Sequence, residues 1–153
     1  MKLFTYSLVV LLLAGVAPAA SAGAAEDVVE TLRLRGHMFS EGNMDAWMAG
    51  FTDDAVITTS LVPFRMEGKE AIQAYYAGVF QTYPTRRVAF RQPSARVYNG
   101  DTAAVSNAYL HVTLVDRNSQ ATTLYLRQSV TWIKQGGRWL IADGHASRLP
   151  ASP

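Results

Sequence analysis

The feature that most narrows the fold of this chain is the set of turns in its second half. Beyond Thr85 almost every residue suits a strand, and the run is cut by Asn99-Gly100, by Asp116 to Ser119 and by Gly136-Gly137. Asn-Gly and Gly-Gly supply the positive φ that tight hairpins need. The expectation is four long strands connected as a meander: Arg86 to Tyr98, Thr102 to Val115, Ala121 to Lys134 and Arg138 to Ser147, with a frayed tail from Leu149 to Pro153. Pro93 has no amide hydrogen to donate, so it predicts an edge strand or a bulge in the first of them.

Upstream of Thr85 the apolar spacing is helical. From Glu26, residues Val28, Val29, Leu32 and Phe39 fall on one helix face, with Glu26 and Asp27 in the first turn, where the helix dipole favours acids. Gly42-Asn43 ends this helix and offers a cap to a second, in which Met44, Trp47, Met48 and Phe51 recur at i, i+3, i+4 and i+7. Ala55 to Ser60 is rich in β-branched residues and predicts a strand that Pro63 stops. Gly68 opens a third helix, whose stripe of Ile72, Tyr75, Tyr76, Val79 and Phe80 runs toward Pro84. Helices gathered ahead of antiparallel strands imply an α+β fold, with three N-terminal helices packed on one face of a curved sheet.

Ahead of the first helix, Lys2, the short apolar stretch Leu8 to Ala14 and the small residues after it read as a cleavable export signal. Ala20-Ser21-Ala22 is the best cleavage match, with Ala24 or Ala25 as alternatives. The apolar stretch is shorter than the roughly 20 residues needed to span a bilayer and runs into Pro18. Residues 1–22 are therefore expected to be a signal peptide and residues 23–153 a single mature domain, periplasmic or secreted, with no membrane insertion after cleavage. Cleavage would leave 131 of the 153 residues, carrying 13 basic and 12 acidic side chains once Lys2 is gone. That balance argues against a nucleic-acid partner. Cysteine is absent, which excludes disulfides and thiol chemistry.

On the strand Thr102 to Val115, Ala108, Leu110, Val112 and Leu114 alternate with Asn107, Tyr109, His111 and Thr113. Neither side carries a charged residue, although a solvated face normally does. A second copy covering the outer face, as a homodimer through the sheet, is the simplest expectation.

The element order resembles the nuclear transport factor 2-like superfamily. So do the segment Phe51-Thr52-Asp53-Asp54-Ala55-Val56 and the closing stretch from Arg127 to Trp132, through Gly137 to Ile141, to His145-Ala146-Ser147. Within it the chain is similar to the SnoaL-like proteins and to the association domain of calcium/calmodulin-dependent protein kinase II. The resemblance implies a cone-shaped domain with a pocket between sheet and helices, commonly dimerising through the sheet. It implies no single reaction, because this fold hosts many. In its ketosteroid isomerases the catalytic carboxylate lies five residues after the aspartate opening the first strand; counted from Asp54 that position is Thr59, which cannot act as the base. The three carboxylate-binding arginines of the kinase association domain would correspond to His111, Val130 and Ala146, of which only His111 could be basic.

Histidine is the natural acid or base near neutral pH, and there are three. His37, beside Gly36 late in the first helix, reads as a surface residue. His111 shares a face with Asn107 and Tyr109, which the resemblance turns toward the pocket; a hydrogen-bonded core histidine is the alternative. Asp143 and His145 alternate on the last strand and so point the same way. A two-residue Gly136-Gly137 turn pairs Gln135 with Arg138 and Trp132 with Ile141, setting Val130 opposite Asp143 and Gln128 opposite His145; a three-residue turn sets Arg127 opposite His145. The two-residue turn is preferred, which would gather Asp143, Gln128 and His145 in the pocket and turn Arg127 and Ser129 outward.

His111, Asp143 and His145 lack a recognised metal-binding spacing, and no phosphate loop or nucleophile elbow occurs, so neither metal nor cofactor is expected. Trp47, Tyr75 and Phe80 are the expected cavity wall and Tyr109, His111, Asp143 and His145 its polar anchors, with Thr59 and Gln128 as further ligand-binding residues. The expected function is binding of a small, largely apolar molecule. The alternatives are a cofactor-free isomerase, dehydratase or hydrolase using His145, Asp143 or His111 as acid and base, and an assembly module without catalysis.

Overall fold

The Gly136-Gly137 turn forms as its chemistry dictates: both glycines have positive φ, and Gln135 pairs with Arg138 across two residues. The computed structural model describes residues 22–150. Apart from Ala22, the expected signal segment lies outside the described residues. The elements are α1 Ala22–Glu41, α2 Met44–Met48, β1 Phe51–Thr59, β2 Met66–Glu67, α3 Lys69–Thr82, β3 Thr85–Tyr98, β4 Ala103–Val115, β5 Ala121–Gln135 and β6 Arg138–Arg148. They build one curved, unclosed sheet in the order β2-β1-β6-β5-β4-β3, packed against the helices. The four long strands form the expected antiparallel meander. β1 joins parallel to β6, a pairing that local sequence pattern does not reveal.

Several boundaries differ from the sequence reading. α2 stops at Met48, and Phe51 opens β1 instead of closing a helix. The loop between β3 and β4 holds four residues, Asn99 to Thr102, with positive φ at Asn99, Gly100 and Asp101. At the end of α1, Gly42 (φ 80°) lets the Asn43 amide reach back to the Met38 carbonyl at 3.0 Å, closing the helix. The Asn43 side chain then accepts from the Ala46 amide at 3.1 Å and starts α2.

Pro93 lies on an edge strand and at a bulge together: Arg91 pairs with Tyr109 and Ser94 with Asn107, leaving Gln92 and Pro93 opposite one residue. A second bulge, in β6, decides the site. Trp132 pairs with Ile141 as expected, but Thr131 pairs with Asp143, so Ala142 is an extra residue. From Asp143 onward every side chain is therefore on the opposite face from the one an unbulged strand would give.

The core sits between the helices and the inner sheet face, where Ala104, Ala108, Leu110, Val112 and Leu114 of β4 are buried. Trp132, fully buried, donates from Nε1 to Ser106 Oγ at 2.8 Å, so its polar atom is satisfied inside that core. Arg86, at the start of β3, donates from Nε to the Phe39 carbonyl at 3.1 Å, and from Nη1 to the Phe80 carbonyl at 3.4 Å and the Tyr83 carbonyl. Its guanidinium also lies 4.2 Å from the Phe80 ring centre. One buried cation thus ties the ends of α1 and α3 to the sheet, where helix carbonyls need donors. No helix among the described residues is long and apolar enough to cross a membrane.

Candidate functional site

Between sheet and helices lies a cavity of about 380 Å³. Its helical side is built by Leu32, Arg35 and Phe39 of α1, Trp47 of α2, and Tyr75, Tyr76 and Val79 of α3. Its sheet side carries Leu110, Val112, Leu126, Gln128 and Val130, with Phe51, Ile57 and Thr59 from β1. The aromatic rings interlock: Trp47 stands 4.5 Å from Tyr76, 4.9 Å from Phe51 and 5.7 Å from Phe39, centre to centre. Such edge-to-face packing holds the wall stiff. No aspartate or glutamate lines the cavity; its charged side chains are Arg35 and, near the end of β6, the exposed Arg148.

Arg35 is the unusual member. Its position on α1 continues the apolar stripe, one turn beyond Leu32 and one turn before Phe39, and it is 5% exposed. Nη1 donates to the Trp47 carbonyl at 2.8 Å, and the guanidinium lies 4.3 Å from the Phe51 ring centre and 5.5 Å from that of Trp47. Nη2 is buried without a partner, and no acidic side chain among the described residues pairs with it. Burial lowers its pKa from the ordinary guanidinium value to about 9, against a smaller opposing effect of Tyr76. A Cβ on Gly50 would stand 1.5 Å from Nη1, so any larger residue there would displace the guanidinium. Burial also raises the Tyr76 pKa, helped by Tyr75 and opposed by Arg35, and raises that of Tyr75, helped by Tyr83. Both phenols are therefore neutral donors near neutral pH. Gln128 adds a second orphan, since its Oε1 is buried without a partner.

Of the residues singled out from sequence, Trp47, Thr59, Tyr75 and Gln128 line the cavity. Phe80 stands behind the wall, 5.1 Å from the Phe39 ring and beneath Arg86. Tyr109 and His111 are corrected: they face outward, because the inward positions of β4 are the even-numbered ones. His111 stacks on the exposed ring of Tyr125, with centres 4.9 Å apart and planes 11° from parallel. Of the three positions matched to the association-domain arginines, Val130 and Ala146 line the cavity and His111 does not.

Asp143 and His145 are corrected by the β6 bulge. His145 pairs with Ser129 and Asp143 with Thr131, while Gln128 pairs with Ala146. A Cβ on Gly144 would stand 2.7 Å from Ile57 Cδ1, so Gly144 faces inward and its exposed neighbours Asp143 and His145 face out. The expected Asp143, Gln128 and His145 cluster does not assemble. His145 borders the cavity but also an outer groove with Tyr109, Arg127, Ser129 and Ser147. There Arg127 Nε donates to Ser147 Oγ at 3.1 Å, and Ser129 Oγ to Asn107 Oδ1 at 2.7 Å. Among the described residues no three His, Asp or Glu side chains are grouped to hold a metal ion.

The SnoaL-like domain family model matches residues 20–144, which spans both walls of the cavity. The chain belongs to the SnoaL-like family. Solved structures with this fold include a nuclear transport factor 2-like superfamily protein of Salmonella enterica, with TM-score 0.74 at 19% identity, covering 86% of this chain and 94% of that one. The association domain of Caenorhabditis elegans CaMKII aligns with TM-score 0.65 at 20% identity, over 80% of this chain and 93% of that one. A candidate scytalone dehydratase of Novosphingobium aromaticivorans aligns with TM-score 0.75 at 12% identity, over 82% and 83%. At these identities the likeness is one of fold. A sequence search of curated proteins finds no significant match to this SnoaL-like chain.

The signal for Arg35 was present in the sequence. A charged residue on the apolar stripe Val28, Leu32 and Phe39 cannot reach water as a surface arginine does, and arginine is almost never fully buried unless paired.

Proposed function

We propose that this SnoaL-like domain binds a small, largely apolar molecule in the cavity between sheet and helices. The observation that carries the reading is a preformed cavity of about 380 Å³ walled by interlocked aromatic and aliphatic side chains, with a few buried polar groups among them. Cavities of that size and lining suit one small organic ligand. The test is native mass spectrometry of protein recovered from its own host, together with titration of the neutral fluorophore N-phenyl-1-naphthylamine. A co-purifying compound, or micromolar uptake of the dye competed by it, is expected. A protein that carries nothing and leaves the dye's fluorescence unchanged would end the reading.

Acid–base catalysis by His145 and Asp143 is the weaker reading, because both are exposed, Asp143 does not line the cavity and, among the described residues, the wall offers no carboxylate base. The proposal includes export and pairing. The domain works in the periplasm or outside the cell after losing residues 1–22, so intact Met1 on the protein at steady state would refute that part. Two copies join through the outer sheet face, where Tyr109, Tyr125 and His111 offer an aromatic surface. Sedimentation should give a dimer burying at least about 1,000 Å²; a monomer at high concentration would refute it.

A further inference from the structure

Arg35 presents an energetic problem that packing does not solve. A guanidinium withdrawn from water loses several kcal/mol of hydration, by order of magnitude, unless a carboxylate and full hydrogen bonding replace it. Here one carbonyl and two ring faces replace it, Nη2 has no partner, and no acid lines the cavity. Methionine would fill the same space without that cost, so packing alone does not explain the charge. The rings around the guanidinium, Phe51, Trp47 and Tyr76, are themselves cavity wall, and the Tyr76 phenol beside it is a neutral donor. Arg35 lines the cavity with them and also borders an outer groove that holds Asp27 and Glu30, neither of which pairs with it, so a ligand in the cavity would meet its charge in surroundings of low dielectric that strengthen its pull on an anion.

We propose that the ligand of this cavity is an organic acid, an apolar body bearing a carboxylate that pairs with Arg35 and accepts from the Tyr76 hydroxyl. This rests on the binding reading above and adds the chemical class. The aromatic wall takes the body by apolar contact and edge-to-face packing, and Arg35 selects the acid over its neutral analogues. Arg148 is the rival cation, but it is exposed, where water screens its charge.

The test uses 2-naphthoate and 2-naphthamide, nearly equal in shape and different in charge, titrated by calorimetry into the wild-type protein, Arg35→Met and Arg148→Gln. The wild type should bind the carboxylate roughly 10- to 100-fold more tightly than the amide, the range for a hydrogen bond to a charged partner in a buried site. Arg35→Met should lose the preference and bind both probes alike, and Arg148→Gln should keep the wild-type preference. Equal binding of the two probes by the wild type overturns the organic-acid proposal and leaves the apolar-binding reading standing. Binding of neither overturns both. Loss of the preference in Arg148→Gln assigns the anion to the rim and overturns the role of Arg35. That variant alters an exposed residue, so it decides the matter even if Arg35→Met does not fold.

Discussion

Two buried arginines, Arg35 on α1 and Arg86 bonded to the Phe39 carbonyl one turn further along that helix, are not alike. Arg86 has carbonyls for its charge: those of Phe39, Phe80 and Tyr83, at helix ends where partial negative charge collects. Arg35 has one carbonyl and an orphan nitrogen in the wall of a cavity. The same side chain is thus a strut in one place and a candidate ligand contact in the other. What separates them is how completely the fold satisfies the guanidinium.

Replacing the strut should have the largest effect. Arg86→Met leaves carbonyls at the ends of α1 and α3 without their donor and should destabilise the domain by about 2–4 kcal/mol in chemical denaturation. A loss below about 1 kcal/mol would show that water replaces the guanidinium there and that the contrast is overstated.

Arg35→Met should behave in the opposite sense, leaving stability unchanged or raising it by about 1–3 kcal/mol near neutral pH, because an uncompensated charge is removed. The Trp47 carbonyl keeps the Gly50 amide as donor at 3.3 Å, which limits the cost. Destabilisation as large as that of Arg86→Met would make Arg35 a second strut.

The comparison sharpens with pH. Burial lowers the Arg35 pKa to about 9, below that of an arginine in the unfolded chain, so between the two the unfolded chain binds more protons than the folded one. Stability of the wild type relative to Arg35→Met should therefore rise as pH increases above about 9, with no change below it, where both states hold the proton. A stability difference that stays flat through that window would show the guanidinium to be better solvated than its surroundings suggest.

The smallest effect is expected where the cavity meets the outer groove. His145→Gln alters an exposed group there and should change naphthoate affinity and stability by less than about 0.5 kcal/mol. A loss of tenfold or more in affinity would return the imidazole to the ligand and weaken the distinction between the two faces of β6.

Much of this arrangement is written locally. The helical stripes, the glycine turn that pairs Gln135 with Arg138, the meander and the discordance at Pro93 follow from side-chain periodicity and from φ values that few residues tolerate. The family resemblance also rested on such local segments, and the match over residues 20–144 agrees with it. Trp47, Tyr75, Thr59 and Gln128 were legible as cavity residues because aromatic stripes and strand order place them. Arg35 was not singled out from the sequence, although a charge on the stripe of Leu32 and Phe39 was there to be read.

The side of the sheet that Asp143 and His145 occupy belongs to the tertiary structure. One extra residue at Ala142 reverses that strand's alternation, and neither composition nor periodicity marks the place where it is inserted. The parallel seat of β1 beside β6 is of the same kind, as it depends on contacts far apart in the chain. The sequence by itself determined the elements, their order and the stiff aromatic wall, because those depend on near neighbours. Only the assembled structure decided which polar groups share the cavity, because that depends on register between distant strands and on which buried charges find partners.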